Sequence, residues 1–261
     1  MTLDPLLLEA CPVGHLPLIR AVIDDLGIVP VLEERCPKHP LAVVSDADCV
    51  VLMILNLISG RVALHRMNDW LDRTDAEILL GTQRPASAFH DTRLEACLDH
   101  IAAAGTDLLL GDVVDRYLQR PDLPKRWCAH QDTTSVSVFG AYDEADEPVP
   151  TFGFSKDHRP DLRQLIFGLT LHGAAGIPVL GTMLDGNTSD VVVNRLHVAA
   201  LAERLPDPSQ VTLIADCKLV DAETVGQVLD AGMRFVSLLP DTYEPTFQGS
   251  PTLPHGISAL S

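Results

Sequence analysis

The chain has 261 residues, enough for one large domain or two ordinary ones with a sizeable core. Apolar residues make up 46% and charged residues 21%, a globular composition that excludes a disordered chain, and the longest apolar run, Cys49 to Ile58, is too short to span a bilayer and reads as a buried helix. The formal net charge is −17, with four lysines against 36 acids, opposite in sign to the basic footprint that supplies most nucleic-acid affinity.

Two explanations of that acidity stay open: a basic DNA-binding surface beyond these residues, or a source whose proteins are acidic because it lives at high salt. Either way, this stretch of chain is expected to bind DNA weakly. The N-terminus carries no basic region followed by an apolar stretch and a small-residue cleavage site, so the expected location is cytoplasmic, without a membrane partner. The cysteines (Cys11, Cys36, Cys49, Cys97, Cys128 and Cys217) form no CxxC pair, and no His pair has zinc-finger spacing. Scattered cysteines in such a chain read as reduced core residues.

Residues 1–120 read as a helical domain. Leu16, Ile19, Val22, Ile23 and Leu26 recur at helical spacing until Gly27 and Pro30 stop the pattern. Ser45 or Asp46 caps a second helix through Val50, Met53, Ile54 and Leu57, ended by Gly60. Residues 62–80 and 91–118 continue in the same style. The character changes near Pro121 to Pro124. From Trp127 a run rich in β-branched residues, bounded by Gly140, predicts a strand, with an acidic loop after it from Asp143 to Pro150. Leu165 to His172 and Ile177 to Leu184 predict two strands joined in a hairpin by Gly173 to Gly176. Asp190 to Arg204 predicts a helix with Val193, Leu196 and Leu201 inward. Val211 to Ala215 is a short buried strand, Asp221 to Ala231 a helix, and Arg234 to Leu239 a last strand. This order mixes an antiparallel ribbon with parallel crossovers, which a uniformly doubly wound sheet would not do. It is the order of RNase H-like domains. The expected organisation is therefore a helical N-terminal domain over 1–120, an incomplete α/β RNase H-like domain with a mixed sheet over 125–243, and a disordered tail over 244–261, where prolines and glycines replace any periodic apolar face.

Three features could carry chemistry. Asp132 lies within a strand, where aspartate is depleted, and Asp216 lies where the strand Val211–Ala215 ends. If the two strands run side by side in parallel, both carboxylates meet near the strand ends, and such oxygen donors suit Mg²⁺. Each residue also has a purely structural reading, Asp132 bending a strand and Asp216 capping the next helix. The third feature is Gly153 to Gln164, which packs Lys156, His158, Arg159 and Arg163 into eight residues of an acid-rich chain. It is either a phosphate-holding loop or a solvated one whose Arg and Asp side chains pair. His130, two residues before Asp132, reads as a packed histidine, and Asp157 and Asp161 as residues that orient Arg159 and Arg163. The Gly-rich turn at Gly173 opens no helix, so it gives no phosphate cradle.

The segment Gly153 to Gln164 resembles the "YSKDHRPDLKQ"-type block of DDE insertion-sequence transposases, with Phe154 where that family often has tyrosine. Asp185 to Asp190 is similar to the family's "GNxSD" block, and Leu213 to Asp216 resembles the strand bearing its second catalytic aspartate. The stretch from His15 to Leu80 resembles the helical region that precedes the catalytic domain in one branch of these enzymes. The resemblance covers roughly residues 13–243. It implies that Asp132 and Asp216 are the first two acids of the DDE triad and hold Mg²⁺ or Mn²⁺, and that Lys156, Arg159 and Arg163 contact DNA. The implied partners are the element's terminal repeats, target DNA and further copies of the full-length chain. Two departures stand out. The third acid, a glutamate on a later helix within a Tyr/Arg/Glu/Lys signature, has no counterpart, since Glu244 comes too soon after the last strand and sits among prolines; Lys218 replaces the arginine or small residue often found beside the second aspartate. The resulting expectation is a transposase fragment inactive for want of the third acid. The alternative is a non-catalytic fragment that associates with full-length transposase and inhibits it, or a degenerate product with no role.

Overall fold

The computed structural model describes residues 13–81, 84–143, 147–155, 158–173 and 176–239. The expected tail over 244–261, together with Lys156 and Asp157, lies outside the described residues. The chain divides into two compact units, Met1–Pro121 and Asp122–Ser261.

The first unit is built from helices α1 (Leu16–Asp25), α2 (Ile28–Arg35), α3 (Asp46–Ile58), α4 (Met67–Leu71), α5 (Ala76–Leu80), α6 (Asp91–Ala104) and α7 (Thr106–Leu118). Gly27 separates α1 from α2 by adopting φ 67°, a left-handed conformation that costs glycine little. Pro30 does not stop the pattern as expected. It sits in the first turn of α2, where the missing N–H would have no intrahelical partner anyway. Ser45 caps α3 in a reciprocal box: its hydroxyl accepts from the Asp48 N–H at 3.0 Å, and the Asp48 carboxylate accepts from the Ser45 N–H at 2.9 Å. The run from 91 to 118 is two helices, broken at Gly105 with φ 88°. The core gathers Leu16, Ile23, Cys49, Leu52, Leu55, Met67, Leu71, Leu79, Phe89, Leu94 and Cys97 from α1, α3, α4, α5, α6 and the turn before α6. Val22, placed by its spacing on the apolar stripe of α1, is 54% exposed.

The second unit is a five-stranded mixed sheet in the order β3-β2-β1-β4-β5, where β1 is Trp127–Val138, β2 Arg163–His172, β3 Ile177–Asp185, β4 Val211–Ala215 and β5 Arg234–Ser237. The first three strands are antiparallel neighbours, whereas β1–β4 and β4–β5 pair in parallel. The parallel pairs need crossovers, supplied by α8 (Asp190–Arg204) and α9 (Ala222–Asp230).

Helix α8 lies against one face of the sheet, reached by Gln131, Thr133 and Thr170. Gly168 on β2 permits that approach, because a Cβ there would come within 2.5 Å of Val193 and 3.0 Å of His197. Val193 and Leu201 are buried, but Leu196, expected to face inward, is 46% exposed. The inward stripe of α8 is instead completed by Asn194, His197 and Val198. Polar residues take core positions here because the sheet offers them partners: the Gln131 amide donates to Asn194 at 2.6 Å, and the Thr170 hydroxyl meets His197 Nδ1 at 2.8 Å.

Candidate functional site

Strand β1 alternates strictly. Ala129, Gln131, Thr133 and Ser135 are buried towards α8, while His130, Asp132, Thr134 and Val136 are exposed on the other face. Its parallel register with β4 runs from Trp127 beside Val211 to His130 beside Ile214. Continued two residues, that register sets Asp132 beside Asp216, and Asp216 remains extended at φ −68°, ψ −179°. Parity then decides the face. Val211 and Leu213 are buried with Ala129, so Asp216 falls on the same face as Asp132, opposite to α8.

Among the described residues, both carboxylates are engaged by local backbone donors: Asp132 accepts from the Thr133 N–H at 2.8 Å, and Asp216 from the Lys218 N–H at 3.0 Å, capping the short turn Cys217–Leu219. Asp216 thus has the capping role of the structural reading, at the short turn Cys217–Leu219. His130 is not packed as expected. It is exposed on the same face as Asp132, with its ring over Gly173, where a Cβ would come within 2.8 Å of Cδ2 and Nε2. Among the described residues, no group of three or more His, Cys, Asp or Glu side chains is arranged to hold a metal ion. Carboxylate oxygens such as those of Asp132 on β1 and Asp216 just past β4 are the donor type that suits a cation such as Mg²⁺, which completes its shell with water and phosphate oxygens.

Two arginines of the basic segment are paired with acids. Arg159 donates through Nε and Nη2 to both oxygens of Asp161, at 2.8 and 2.7 Å, and the pairing lowers the carboxyl pKa of Asp161 from its ordinary value. Arg163 is not oriented by Asp161. It donates to Asp143 at 2.8 Å and to the Tyr142 carbonyl at 3.2 Å, with its guanidinium 5.7 Å from the centre of the exposed Phe152 ring.

A close junction between the two motif blocks was not foreseen from the sequence. The fully buried Gln164 donates to the Gly186 carbonyl at 2.8 Å and to the Phe154 carbonyl at 3.3 Å, while Thr151 and Gln164 exchange backbone hydrogen bonds at 3.1 and 2.9 Å. Gly153 and Gly186 pack so closely that a Cβ on either would overlap backbone oxygens. The segment leading into the basic loop is thus clamped onto the turn that starts α8. The only sequence signal for it was the pair of glycines, one in each block.

A family model described as a domain of unknown function (DUF4277) matches residues 9–114, within the helical unit. No curated protein matches the chain. Among solved structures, the chain is similar to a piggyBac transposase synaptic complex with hairpin DNA, at 12% identity and a TM-score of 0.45, covering 91% of this chain and 54% of that one. It is also similar to a Mos1 transposase paired-end complex with the left transposon end (10% identity, TM-score 0.30, 80% of this chain and 62% of that one) and to a Mos1 mariner paired-end complex with Mn (11%, 0.30, 78% and 60%). The chain thus spans about half the length of the first and some three fifths of the others. Among the described residues, no helix is long and apolar enough to cross a membrane.

Proposed function

We propose that this chain is part of a DDE-type insertion-sequence transposase, with an RNase H-like catalytic domain in the second unit behind a helical N-terminal domain, and that Asp132 and Asp216 are two of its metal-binding acids. The observation that supports the reading is the parallel β1–β4 register, which, continued two residues beyond His130 and Ile214, would set Asp132 on β1 beside Asp216 just past the end of β4. The strand order, with an antiparallel ribbon continued by two parallel strands, supports the fold assignment.

Asp132 and Asp216 would hold Mg²⁺ or Mn²⁺, which when bound neutralises the charge developing on a phosphoryl group. The rest falls to side chains of this chain. Arg159 and Arg163, with Lys156, would contact the DNA backbone, because a guanidinium paired with one carboxylate keeps further N–H donors for phosphate. Terminal-repeat and target DNA, and further copies of the full-length chain, are the corresponding partners.

Two carboxylates supply fewer ligands than a two-metal centre needs, so the 261-residue protein is expected to bind a divalent ion but not to nick terminal-repeat DNA. Mn²⁺ binding monitored by electron paramagnetic resonance tests the site: Asp132→Asn and Asp216→Asn should each weaken it at least about tenfold, as loss of one charged ligand does. If both variants bind Mn²⁺ like the parent, the two carboxylates share no ion and the reading fails. Robust Mg²⁺-dependent nicking abolished by Asp132→Ala would overturn the expected inactivity while upholding the site.

A further inference from the structure

Phe139, Tyr142, Phe152 and Phe154 are exposed aromatics of the second unit, Phe139 at 74%, Phe152 at 59% and Phe154 at 89%. All four gather at one end of β2. Phe139 follows Val138, the β1 partner of Arg163, and the Tyr142 carbonyl accepts from Arg163. The Arg163 guanidinium lies over the Phe152 ring, and the Phe154 carbonyl accepts from the Gln164 amide. A single exposed ring is ordinary, but a group of them marks a contact surface. Phe152 and Phe154 stand outward for a local reason. Exposure alternates from Thr151 to Ser155, with both rings on the open side, because Thr151 pairs with Gln164 and Gly153 lies against Gly186. The backbone under the rings is thereby fixed, so covering them costs little ordering. Strand β2 alternates too: Gln164, Ile166 and Thr170 are buried, and Arg163, Leu165 and Phe167 take the other face, which Asp132 shares. Val138, beside Arg163, is six residues along β1 from Asp132, about 20 Å at a strand's rise of about 3.3 Å.

Cations beside the rings select the ligand. The Arg159 backbone N–H donates to the Ser155 hydroxyl at 3.2 Å, which ties that arginine to the same segment. Its side chain gives Nε and Nη2 to Asp161, and Arg163 gives Nη1 and Nη2 to Tyr142 and Asp143. A guanidinium carries five N–H groups, so each arginine keeps donors for an anion. Flat apolar faces bordered by guanidinium groups suit planar bases joined by phosphates. In a duplex the base faces are covered by their neighbours, so an unpaired strand is the form that fits. We propose that Phe152 and Phe154 are a stacking platform for unpaired bases of DNA, with Arg159 and Arg163 on the adjoining phosphates. The choice of DNA rests on the function proposed above, and the platform gives its basic segment a second task, holding a strand that has left the duplex.

The test titrates the full chain into a fluorescein-labelled oligodeoxythymidylate of about fifteen nucleotides, read by anisotropy at about 0.1 M sodium chloride with EDTA. Binding with a Kd below about 0.1 mM is expected, the ordinary strength of contacts without sequence preference. An abasic strand of equal length should bind at least about fivefold more weakly, and Phe152→Ala and Phe154→Ala should each lose at least about fivefold. Phe154→Leu, which keeps an apolar side chain without a ring face, should lose as much as Phe154→Ala, whereas Phe154→Trp should bind like the parent. No binding by the parent at about 0.1 mM, equal affinity for the abasic strand, or parent-like binding by either alanine variant or by Phe154→Leu would each overturn the platform. EDTA keeps divalent ions out of the assay, so failure here leaves the Mn²⁺ test of Asp132 and Asp216 untouched, and failure of that test leaves this one standing.

Discussion

A methyl group at Gly186 would meet backbone, overlapping the Gln164 carbonyl oxygen and pressing on that of Thr151. Neither neighbour is a flexible side-chain tip, so relief requires moving the clamp itself. Gly186→Ala is expected to destabilise the second unit by about 3 kcal/mol, the upper end of overpacking costs, read as a lower urea midpoint at unchanged slope. His197 offers a pH test. Burial pushes its imidazole from the ordinary 6.5 down to about 4, because the ring is enclosed between α8 and β2 with only the Thr170 hydroxyl at Nδ1. The folded state therefore refuses a proton that the unfolded chain accepts below pH 6.5. Its contribution is complete above that pH and is lost progressively as the pH falls towards about 4, for a total of about 3 kcal/mol. Urea unfolding of the parent and of His197→Gln between pH 7 and 4 should diverge in slope over that window; parallel curves would show that His197 is protonated normally in the fold.

Among the elements, α3 has the strongest local specification, with a reciprocal capping box at Ser45 and Asp48 opening it. Ser45→Ala should cost about 1 kcal/mol, seen as earlier melting of the helical signal, and Ser45→Asp should recover most of it. This is the kind of feature a sequence displays openly, since a cap and its reciprocal partner are neighbours in the chain. The same locality explains why α8, β4 and the ribbon β2–β3 were legible, each bounded by its own turn or cap residues. The inward face of α8 was not. Asn194 and His197 look like solvent residues by type and Leu196 like a core residue, yet the first two are buried because Gln131 and Thr170 across the gap give them hydrogen bonds. Side chains from β1 and β2 decide that face, and no window of α8 contains them. The candidate site divides the same way: Asp132 on β1 and Asp216 just past β4 are visible one at a time, whereas the parallel pairing of β1 with β4 is contained in neither segment. The engagement of Arg163 with Asp143 joins residues twenty positions apart and likewise leaves no local trace.

At the scale of the molecule, charge is the dominant fact. A net −17 raises the energy of the folded chain through self-repulsion, which salt screens over about 10 Å at 0.1 M. Thermal midpoints should rise between low salt and about 0.5 M sodium chloride, and duplex DNA should not be retained by this chain at about 0.1 M salt in a filter-binding assay. Tight retention there would show that the arginines near the sheet outweigh the whole-molecule field. The parallel ladder between β1 and β4 carries an evolutionary consequence of its own. Four residue pairs, Trp127 with Val211 to His130 with Ile214, set which positions end up abreast, and a gene-level insertion at Asp207 lies outside them. Deleting a single codon at Gln131 would turn Asp132 to the helix side of the sheet. Length changes outside the paired stretches leave this register untouched, whereas a one-residue shift within 127–130 or 211–214 exchanges the faces of every side chain after it in the strand.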